Sequence, residues 1–145
     1  MRRYGLIGRR LGHSFSARYF AEKFAREAIA DCIYSLYELP AIEDLPGLLA
    51  ATPDLRGFNV TIPYKQAVIP YLDDLAPEAL CIGAVNCVRR EADGRLTGFN
   101  TDTDGLRLAL AELLDPADLP EQALVLGTGG AAQAVQYVLS GMGIS

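Results

Sequence analysis

The sequence predicts an α/β fold: a mostly parallel, twisted sheet that includes an antiparallel hairpin and carries helices on both faces. Three observations predict it. Short apolar runs of strand length alternate with longer segments of helical period. Asp93-Gly94 separates two apolar stretches, which is the pattern of a two-residue hairpin. A glycine-rich turn at residues 127–131 follows one further apolar run and precedes a helical pattern.

The first two units each join a strand to a helix. Residues 4–8 form a short apolar run bounded by glycine, and the segment 16–28 repeats aromatic and small residues at helical spacing. Residues 33–39 are aromatic and aliphatic, and the segment 42–49 then places leucines and an isoleucine on one helical face. We expect two successive β-α units.

The middle of the chain predicts a third strand and the hairpin. Residues 58–61 form the strand, and Pro63 suits the first turn of a helix over residues 64–69 because its φ angle is already close to helical. The hairpin strands are predicted at residues 84–90 and 95–100, on either side of the Asp-Gly turn.

A junction follows the hairpin. Leucines at helical spacing predict a helix over residues 106–114, and two proline-containing dipeptides, Asp115-Pro116 and Leu119-Pro120, then interrupt the pattern. Residues 123–126 predict a new strand. We interpret these two interruptions of the helical pattern as a boundary between domains.

Composition narrows the classes of partner. The chain has 145 residues, 50% of them hydrophobic, a size that ordinarily forms one domain. A formal net charge of −5 and an isoelectric point near 4.8 predict no basic face, so neither nucleic acid nor an anionic membrane is an expected partner. One histidine and three cysteines without a C-x-x-C pair predict no disulfide framework and no metal site. Without an apolar run of transmembrane or signal-peptide length, we expect a cytoplasmic protein.

Lys65 is the most informative residue of the chain. It follows an apolar strand and a turn, one step inside a predicted helix start. A cation at the positive end of a helix costs a few tenths to about 1 kcal/mol, so helix stability does not explain it. A functional lysine and a solvated lysine that flanks a turn both remain open on this segment alone.

Two serines follow the carboxyl end of the first strand, the edge of an open α/β sheet where ligands usually bind. Their hydroxyls are suited to holding a carboxylate, and a serine before a helix is equally suited to capping it. We assign Ser16 to capping and Ser14 to a ligand, while either residue can do both.

Further polar residues lie in or beside the predicted hairpin. Asn86 interrupts an otherwise apolar strand, and a buried amide needs partners, whether structural or from a ligand. Asp102 and Asp104 open the next helix, where a carboxylate favours the helix start. We expect one of the two aspartates to do only that.

The glycine-rich turn at residues 127–131 suits a nucleotide. Glycines allow the backbone to approach a pyrophosphate, and the helix N-terminus adds N–H donors. An ordinary tight turn remains the alternative. The segment predicts the truncated first β-α unit of a Rossmann-like domain, because further β-α units and a ribose-binding residue about 20 positions on would be needed, and the sequence stops at Ser145.

Taken together, these motifs resemble the shikimate dehydrogenase family over the whole chain. Each motif alone is modest, whereas several in the same order and spacing are strong. The matching segments are residues 5–8, 13–16, 59–65, 83–86, 100–105 and 127–131.

The resemblance implies an NADP-dependent oxidoreductase that interconverts shikimate and 3-dehydroshikimate, in the pathway to chorismate and the aromatic amino acids. Residues 1–102 would be the shikimate-binding, catalytic domain. Residues 103–145 would be a linker helix and the truncated start of the NADP-binding Rossmann domain. The chain would then be an N-terminal fragment that is inactive alone, of a protein that is a monomer or a homodimer.

Site roles are also implied by the resemblance. Two serines hold the substrate carboxylate, Ser14 and Ser16. Four polar side chains bind the ring hydroxyls: Asn59, Thr61, Asn86 and Asp102. Lys65 also touches the substrate and forms the catalytic pair with Asp102. Five residues match the nucleotide loop: Gly127, Thr128, Gly129, Gly130 and Ala131. No metal is implied.

The sequence departs from the usual family pattern in its first loop. One residue of Arg9-Arg10 stands where proline is frequent, Ala17 replaces another proline, and Tyr19-Phe20 replaces a frequent His-Asn pair. Because these changes leave Ser14 and Ser16 in place, they affect the expected conformation of the loop more than the identity of the ligand. Three choices stay open: NADP or NAD, shikimate or quinate, and an enzyme or a shikimate-binding module without catalysis.

Overall fold

The computed structural model describes residues 1–145, which contain one six-stranded sheet. Its strands are β1 (Arg2–Gly8), β2 (Cys32–Glu38), β3 (Leu55–Val60), β4 (Asp74–Leu75), β5 (Cys87–Arg90) and β6 (Leu96–Phe99). Their spatial order is β2-β1-β3-β5-β6-β4. The pairs β1–β2, β1–β3 and β4–β6 are parallel, and β3–β5 and β5–β6 are antiparallel. The predicted fold class is therefore confirmed.

Six α-helices accompany the sheet. They are α1 (Ser16–Arg26), α2 (Leu45–Ala51), α3 (Tyr64–Ala67), α4 (Pro77–Ile82), α5 (Asp102–Leu113) and α6 (Gly130–Gly141). Two 3-10 turns, Ile42–Asp44 and Ile69–Tyr71, precede α2 and follow α3. Each helix is too short or too polar to cross a lipid bilayer.

Helices cover both faces of the sheet. Phe20 of α1 stacks on Tyr34 of β2, with ring centroids 4.3 Å apart. Tyr37, three residues further along β2, packs instead against the main hydrophobic core. Because successive side chains of a strand point to opposite faces, Tyr34 and Tyr37 lie on opposite sides of the sheet. The main core includes Leu45 of α2 and Val68, both fully buried.

The predicted hairpin is present, but its loop is longer than the two residues expected: β5 ends at Arg90, β6 begins at Leu96, and Glu91 donates its N–H to the Arg95 carbonyl at 2.8 Å. Gly94 has φ +92°, a left-handed conformation that glycine adopts without steric cost, and the N–H of Arg95 donates to the Asp93 carboxylate at 3.0 Å. The strand predicted over residues 84–90 is too long, because β5 begins only at Cys87. Val85 donates its N–H to the Lys65 carbonyl at 2.7 Å, so this part of the backbone is paired with α3. Asn86 therefore lies in the bend before the strand.

The strand predicted at residues 123–126 is wrong. Leu124 and Leu126 are both 86% exposed. Ala123 and Ser145 form one backbone hydrogen bond, and the Ser145 N–H donates to the Glu121 carbonyl. A strand exists only when a neighbour completes its hydrogen-bond ladder, and this contact is too short for that.

Two further elements differ from the sequence expectations. The helix predicted over residues 64–69 ends at Ala67 and continues as a 3-10 turn, and the peptide bond before Pro63 is cis. The short elements β4 and α4 were not predicted. They contribute to one end of the sheet, where Ala76 donates its N–H to the Gly98 carbonyl at 2.8 Å.

Candidate active site

Four chain segments meet at one edge of the sheet. Parallel strands β1 and β3 both end there, at Gly8 and Val60. Strand β5 is antiparallel to β3, so its beginning at Cys87 lies at the same edge, and the end of β6 at Phe99 lies beside it. The topology thus brings the loops after β1, β3 and β6 together with the bend before β5, as expected of a ligand edge in an α/β sheet.

Lys65 and Asp102 form the central ion pair of this edge. Lys65 Nζ donates to Asp102 Oδ2 at 2.6 Å. The lysine side chain is 18% exposed and the aspartate side chain 36% exposed. Lys65 lies in the first turn of α3 and Asp102 is the first residue of α5, so the starts of two helices hold the pair in place.

Asn86 connects this pair to the sheet. Its Nδ2 donates to Asp102 Oδ1 at 2.7 Å and to the Thr101 hydroxyl at 3.0 Å, and its Oδ1 accepts the Thr101 N–H at 2.9 Å. Its backbone carbonyl accepts the Val60 N–H at 2.9 Å. Asn86 is 9% exposed, and these contacts satisfy its amide.

Asn100 fixes the backbone of the aspartate. Its Oδ1 accepts the Asp102 N–H at 3.1 Å, and its Nδ2 donates to the Ala84 carbonyl at 3.0 Å. Sequence reasoning gave no role to Asn100 or to Thr101. The sequence did contain one indication for Asn100, which is a polar residue at the end of an apolar strand. A polar side chain that is buried there needs hydrogen-bond partners. Asp104 lies outside this network, and its Oδ1 is 3.8 Å from Arg107 Nη1.

Asn59 is oriented from both ends of its amide. Tyr34 donates its hydroxyl to Asn59 Oδ1 at 2.9 Å, and Asn59 Nδ2 donates to the Asn86 carbonyl at 3.3 Å. Burial raises the pKa of Tyr34 to about 12, so its O–H donor is retained well into the alkaline range. The Tyr34 contact was not predicted, because nothing near Asn59 in the sequence indicates it.

The loop after β1 presents the two serines. Ser14 Oγ accepts the Ser16 N–H at 3.2 Å, which leaves the Ser14 hydroxyl proton free to donate elsewhere. The capping role assigned to Ser16 is wrong, because Ser16 is itself the first residue of α1 and Phe15 occupies the N-cap. Leu11 donates its N–H to Glu38 Oε1 at 2.6 Å and anchors the loop to the end of β2.

Gly8 brings the serine loop close to the third strand. A Cβ built at Gly8 would lie 2.7 Å from both Leu11 Cδ2 and Thr61 Cγ2, so only glycine fits. The Thr61 N–H donates to the Ile7 carbonyl at 2.9 Å. Its hydroxyl has no partner within the chain and is available to a ligand.

All seven side chains predicted to bind the substrate line one cavity of about 390 Å³, a size that suits a small ligand. They are Ser14, Ser16, Asn59, Thr61, Lys65, Asn86 and Asp102. Five lining residues had no predicted role: Leu6, Arg10, Leu11, His13 and Val60. The cavity is mostly polar, with an ion pair, two amides and three hydroxyls directed at the same space.

The glycine-rich turn lies beside this cavity. Gly127 has φ +124°, and α6 begins at Gly130, whose position would place a Cβ 3.2 Å from Lys65 Cβ and 3.0 Å from Ala84 Cβ. Gln66 and Gln133 also join α3 to α6, through a hydrogen bond of 2.8 Å. The start of α6 therefore packs against the segment that carries the lysine.

The same turn has the features of an anion site. The first N–H groups of α6 have no partner within the helix, and nothing lies within 4 Å of a Cβ built at Gly129. Thr128 and Ala131 are exposed. These features fit a phosphate group, and Gly130 of the turn lies against the Lys65 side chain.

Comparison with known proteins identifies the family. The family described as "Shikimate dehydrogenase substrate binding domain" matches residues 6–88. The NADP(+) shikimate dehydrogenase of Syntrophomonas wolfei is 41% identical over 143 residues, which cover 97% of this chain and 48% of that protein. The Thermus thermophilus enzyme is 41% identical over 146 residues, covering 99% of this chain and 53% of the relative.

Solved structures agree with the sequence matches. The shikimate dehydrogenase 1 of Peptoclostridium difficile superposes with a TM-score of 0.89 at 34% identity, covering 99% of this chain and 54% of that one. The Thermus thermophilus enzyme in complex with NADP(H) and shikimate gives a TM-score of 0.82 at 39% identity, with the same coverage. The chain spans about half the length of these relatives. It belongs to the shikimate dehydrogenase family, and residues 6–88 are its match to the substrate binding domain of that family.

Proposed function

We propose that this chain is the N-terminal part of an NADP-dependent shikimate dehydrogenase, which interconverts shikimate and 3-dehydroshikimate on the route to chorismate and the aromatic amino acids. Residues 1–102 form the shikimate-binding, catalytic domain. Residues 103–145 form a linker helix and the start of the NADP-binding domain. One observation carries the proposal: the Lys65–Asp102 pair lies in a polar cavity with the five other side chains predicted to bind the substrate.

The cavity is chemically suited to a hydroxylated cyclic acid. Ser14 and Ser16 offer hydroxyl donors to the carboxylate, while Asn59, Thr61 and Asn86 surround the space next to the ion pair. A site that hydrogen-bonds each hydroxyl discriminates strongly against analogues lacking one, because its own polar groups then lose a partner at about 1–3 kcal/mol each.

Lys65 and Asp102 handle the proton. In the reduction direction, the Lys65 ammonium donates to the carbonyl oxygen and supplies the proton that forms the hydroxyl. In the oxidation direction, the same pair receives the hydroxyl proton. Bound NADP supplies the redox chemistry, by accepting or donating a hydride at its nicotinamide. Asp102 keeps Lys65 Nζ in place through the 2.6 Å hydrogen bond.

The glycine-rich turn is proposed to hold the pyrophosphate of the cofactor. Gly127, Thr128, Gly129, Gly130 and Ala131 would contribute backbone N–H groups and the positive end of α6. The contact of Gly130 with the Lys65 segment supports this, since hydride transfer requires the cofactor beside the catalytic lysine.

The proposal separates binding from turnover. We expect the 145-residue chain to bind shikimate, measured as heat in isothermal titration, and to show no NADP-dependent turnover alone. The longer protein implied by the proposal should oxidise shikimate with NADP⁺, followed as absorbance at 340 nm. Parallel kinetics with quinate and with NAD⁺ test the substrate and the cofactor. Ligand binding without turnover in the longer protein would indicate a binding module and contradict the enzymatic assignment.

A further inference from the structure

We propose that Arg10 supplies the positive charge that holds the substrate carboxylate, and so sets the preference of this site for an acid over its uncharged analogues. The inference rests on the proposed function, since it concerns how the same cavity selects its ligand. Arg10 lines the cavity together with Ser14 and Ser16.

The two consecutive arginines of this loop are in different environments. Arg9 lies over the Tyr64 ring, 5.8 Å from its centroid, and its Nε is 3.5 Å from the Tyr64 hydroxyl. Arg9 does not line the cavity. Arg10 lines it and forms no ion pair and no side-chain hydrogen bond within the chain. Its guanidinium is therefore free to bind a ligand.

The charges of the cavity favour this role. Its lining contains one carboxylate, Asp102, which is paired with Lys65 at 2.6 Å. His13 is the remaining titratable residue of the lining. Once the ion pair is set aside, Arg10 is the permanent positive charge of the site, because a guanidinium stays protonated at all ordinary pH values.

The serines alone leave the ligand's charge unbalanced. Ser14 and Ser16 are neutral donors, and the Ser14 oxygen already accepts the Ser16 N–H. A guanidinium binds a carboxylate through two parallel hydrogen bonds and adds charge to the hydroxyl contacts. The next residue, Leu11, is 3% exposed, and its N–H donates to Glu38 Oε1. The backbone beside Arg10 is therefore fixed, although the Arg10 side chain is exposed.

The test compares two ligands that share the ring hydroxyls: shikimate and shikimate methyl ester, which lacks the negative charge. Isothermal titration with the chain should show that Arg10→Gln weakens shikimate binding about three- to tenfold and leaves the affinity for the ester unchanged. Arg10→Lys should restore part of the loss. Raising salt from 50 to 500 mM should weaken shikimate binding to the unmodified chain more than to Arg10→Gln.

Arg9→Gln is the matched control, because it removes the same charge from the adjacent residue outside the cavity. It should leave shikimate affinity within about twofold of that of the unmodified chain. Equal shikimate affinity in Arg10→Gln, an equal loss for acid and ester, or an equal loss in Arg9→Gln would each overturn the role of Arg10 alone. Absence of shikimate binding both to the unmodified chain and to the longer protein would overturn the proposed function as well.

Discussion

Lys65 Nζ and Asp102 Oδ2 are 2.6 Å apart although the residues are separated by 37 positions in the sequence. The pair joins α3 to α5 across the ligand edge of the sheet. The other lysine of the chain, Lys23, also pairs with a carboxylate, that of Glu27 at 2.7 Å, but four residues away on the surface of α1. The two ion pairs thus have similar N–O distances, although one lies in the cavity and the other on α1.

Lys65→Ala should abolish most turnover while retaining substrate binding. General acid–base groups contribute about 10²–10⁴-fold to a rate, so we expect kcat of the longer protein to fall by that factor, with KM changing less than about tenfold. Lys23→Ala is the matched control and should leave both parameters unchanged, because its ion pair with Glu27 lies outside the cavity. Unchanged kcat in Lys65→Ala would contradict the catalytic assignment.

Asn86→Ala should destabilise the chain. The Asn86 side chain forms hydrogen bonds with Asp102 Oδ1 and with the hydroxyl and the N–H of Thr101. Its loss leaves these groups without that partner. We expect the free energy of unfolding to fall by about 1–3 kcal/mol, measured by urea titration at pH 7.

Asn86→Asp tests the effect of a negative charge at the same position. It retains the shape of the side chain and places a second carboxylate within hydrogen-bond distance of Asp102. Like charges this close raise the pKa of one of the two carboxyls. A group with a raised folded pKa stabilises the fold at low pH and loses this as pH rises through that pKa. The variant should therefore be closest to wild type near pH 4 and weakest near pH 8. A pH-independent deficit would show that the charge is not the cause.

Gly130→Ala should disturb the contact between α6 and the lysine segment. Its new Cβ would lie 3.0 Å from Ala84 Cβ and 3.2 Å from Lys65 Cβ, and neither atom can rotate away because each is fixed to the backbone. Although alanine favours a helix, overpacking costs more, and we expect a net loss of about 1–2 kcal/mol in unfolding free energy.

Gly129→Ala provides the comparison for that variant. Gly129 has φ −78°, which alanine adopts readily, and nothing lies within 4 Å of the added Cβ. Its unfolding free energy should stay within about 0.5 kcal/mol of the wild-type value. If both variants lost the same stability, the packing of Gly130 on Lys65 and Ala84 would not be the cause.

Local pattern predicted most of the fold. The helix predicted over residues 16–28 is present as α1, although it ends at Arg26, and a turn is present at Asp93-Gly94. Both depend on interactions within a few residues. The site residues were predicted as a set because the resemblance covers several motifs at once. Spacing alone left Lys65 with two open interpretations.

Contacts between distant segments could not be predicted. The strand at residues 123–126 has the right composition, but a strand also needs a neighbour, which sequence pattern does not reveal. Arg9 and Arg10 are identical in type and adjacent, yet only Arg10 lines the cavity, because side-chain direction in a loop depends on the packed surroundings. β4 has two residues, too few for a period to be recognised.

Tyr34→Phe tests a contact that only the structure shows. The variant retains the ring that stacks on Phe20 and removes the hydroxyl that donates to Asn59 Oδ1 at 2.9 Å. Asn59 then loses one of the two bonds that orient its amide in the cavity, so shikimate affinity should fall about three- to tenfold in isothermal titration. Tyr19→Phe, which changes a mostly exposed tyrosine on α1, should leave the affinity unchanged.

The free energy of unfolding at alkaline pH provides a second test of Tyr34. Burial raises the pKa of Tyr34 to about 12, above the value of about 10 expected in the unfolded chain. Its contribution to stability is therefore complete below pH 10 and is lost as pH rises through 12. Urea titrations should show wild type more stable than Tyr34→Phe at pH 8, with the difference shrinking by pH 11. A difference that grows over this range would mean that Tyr34 ionises more readily in the folded chain, which its burial beneath α1 opposes.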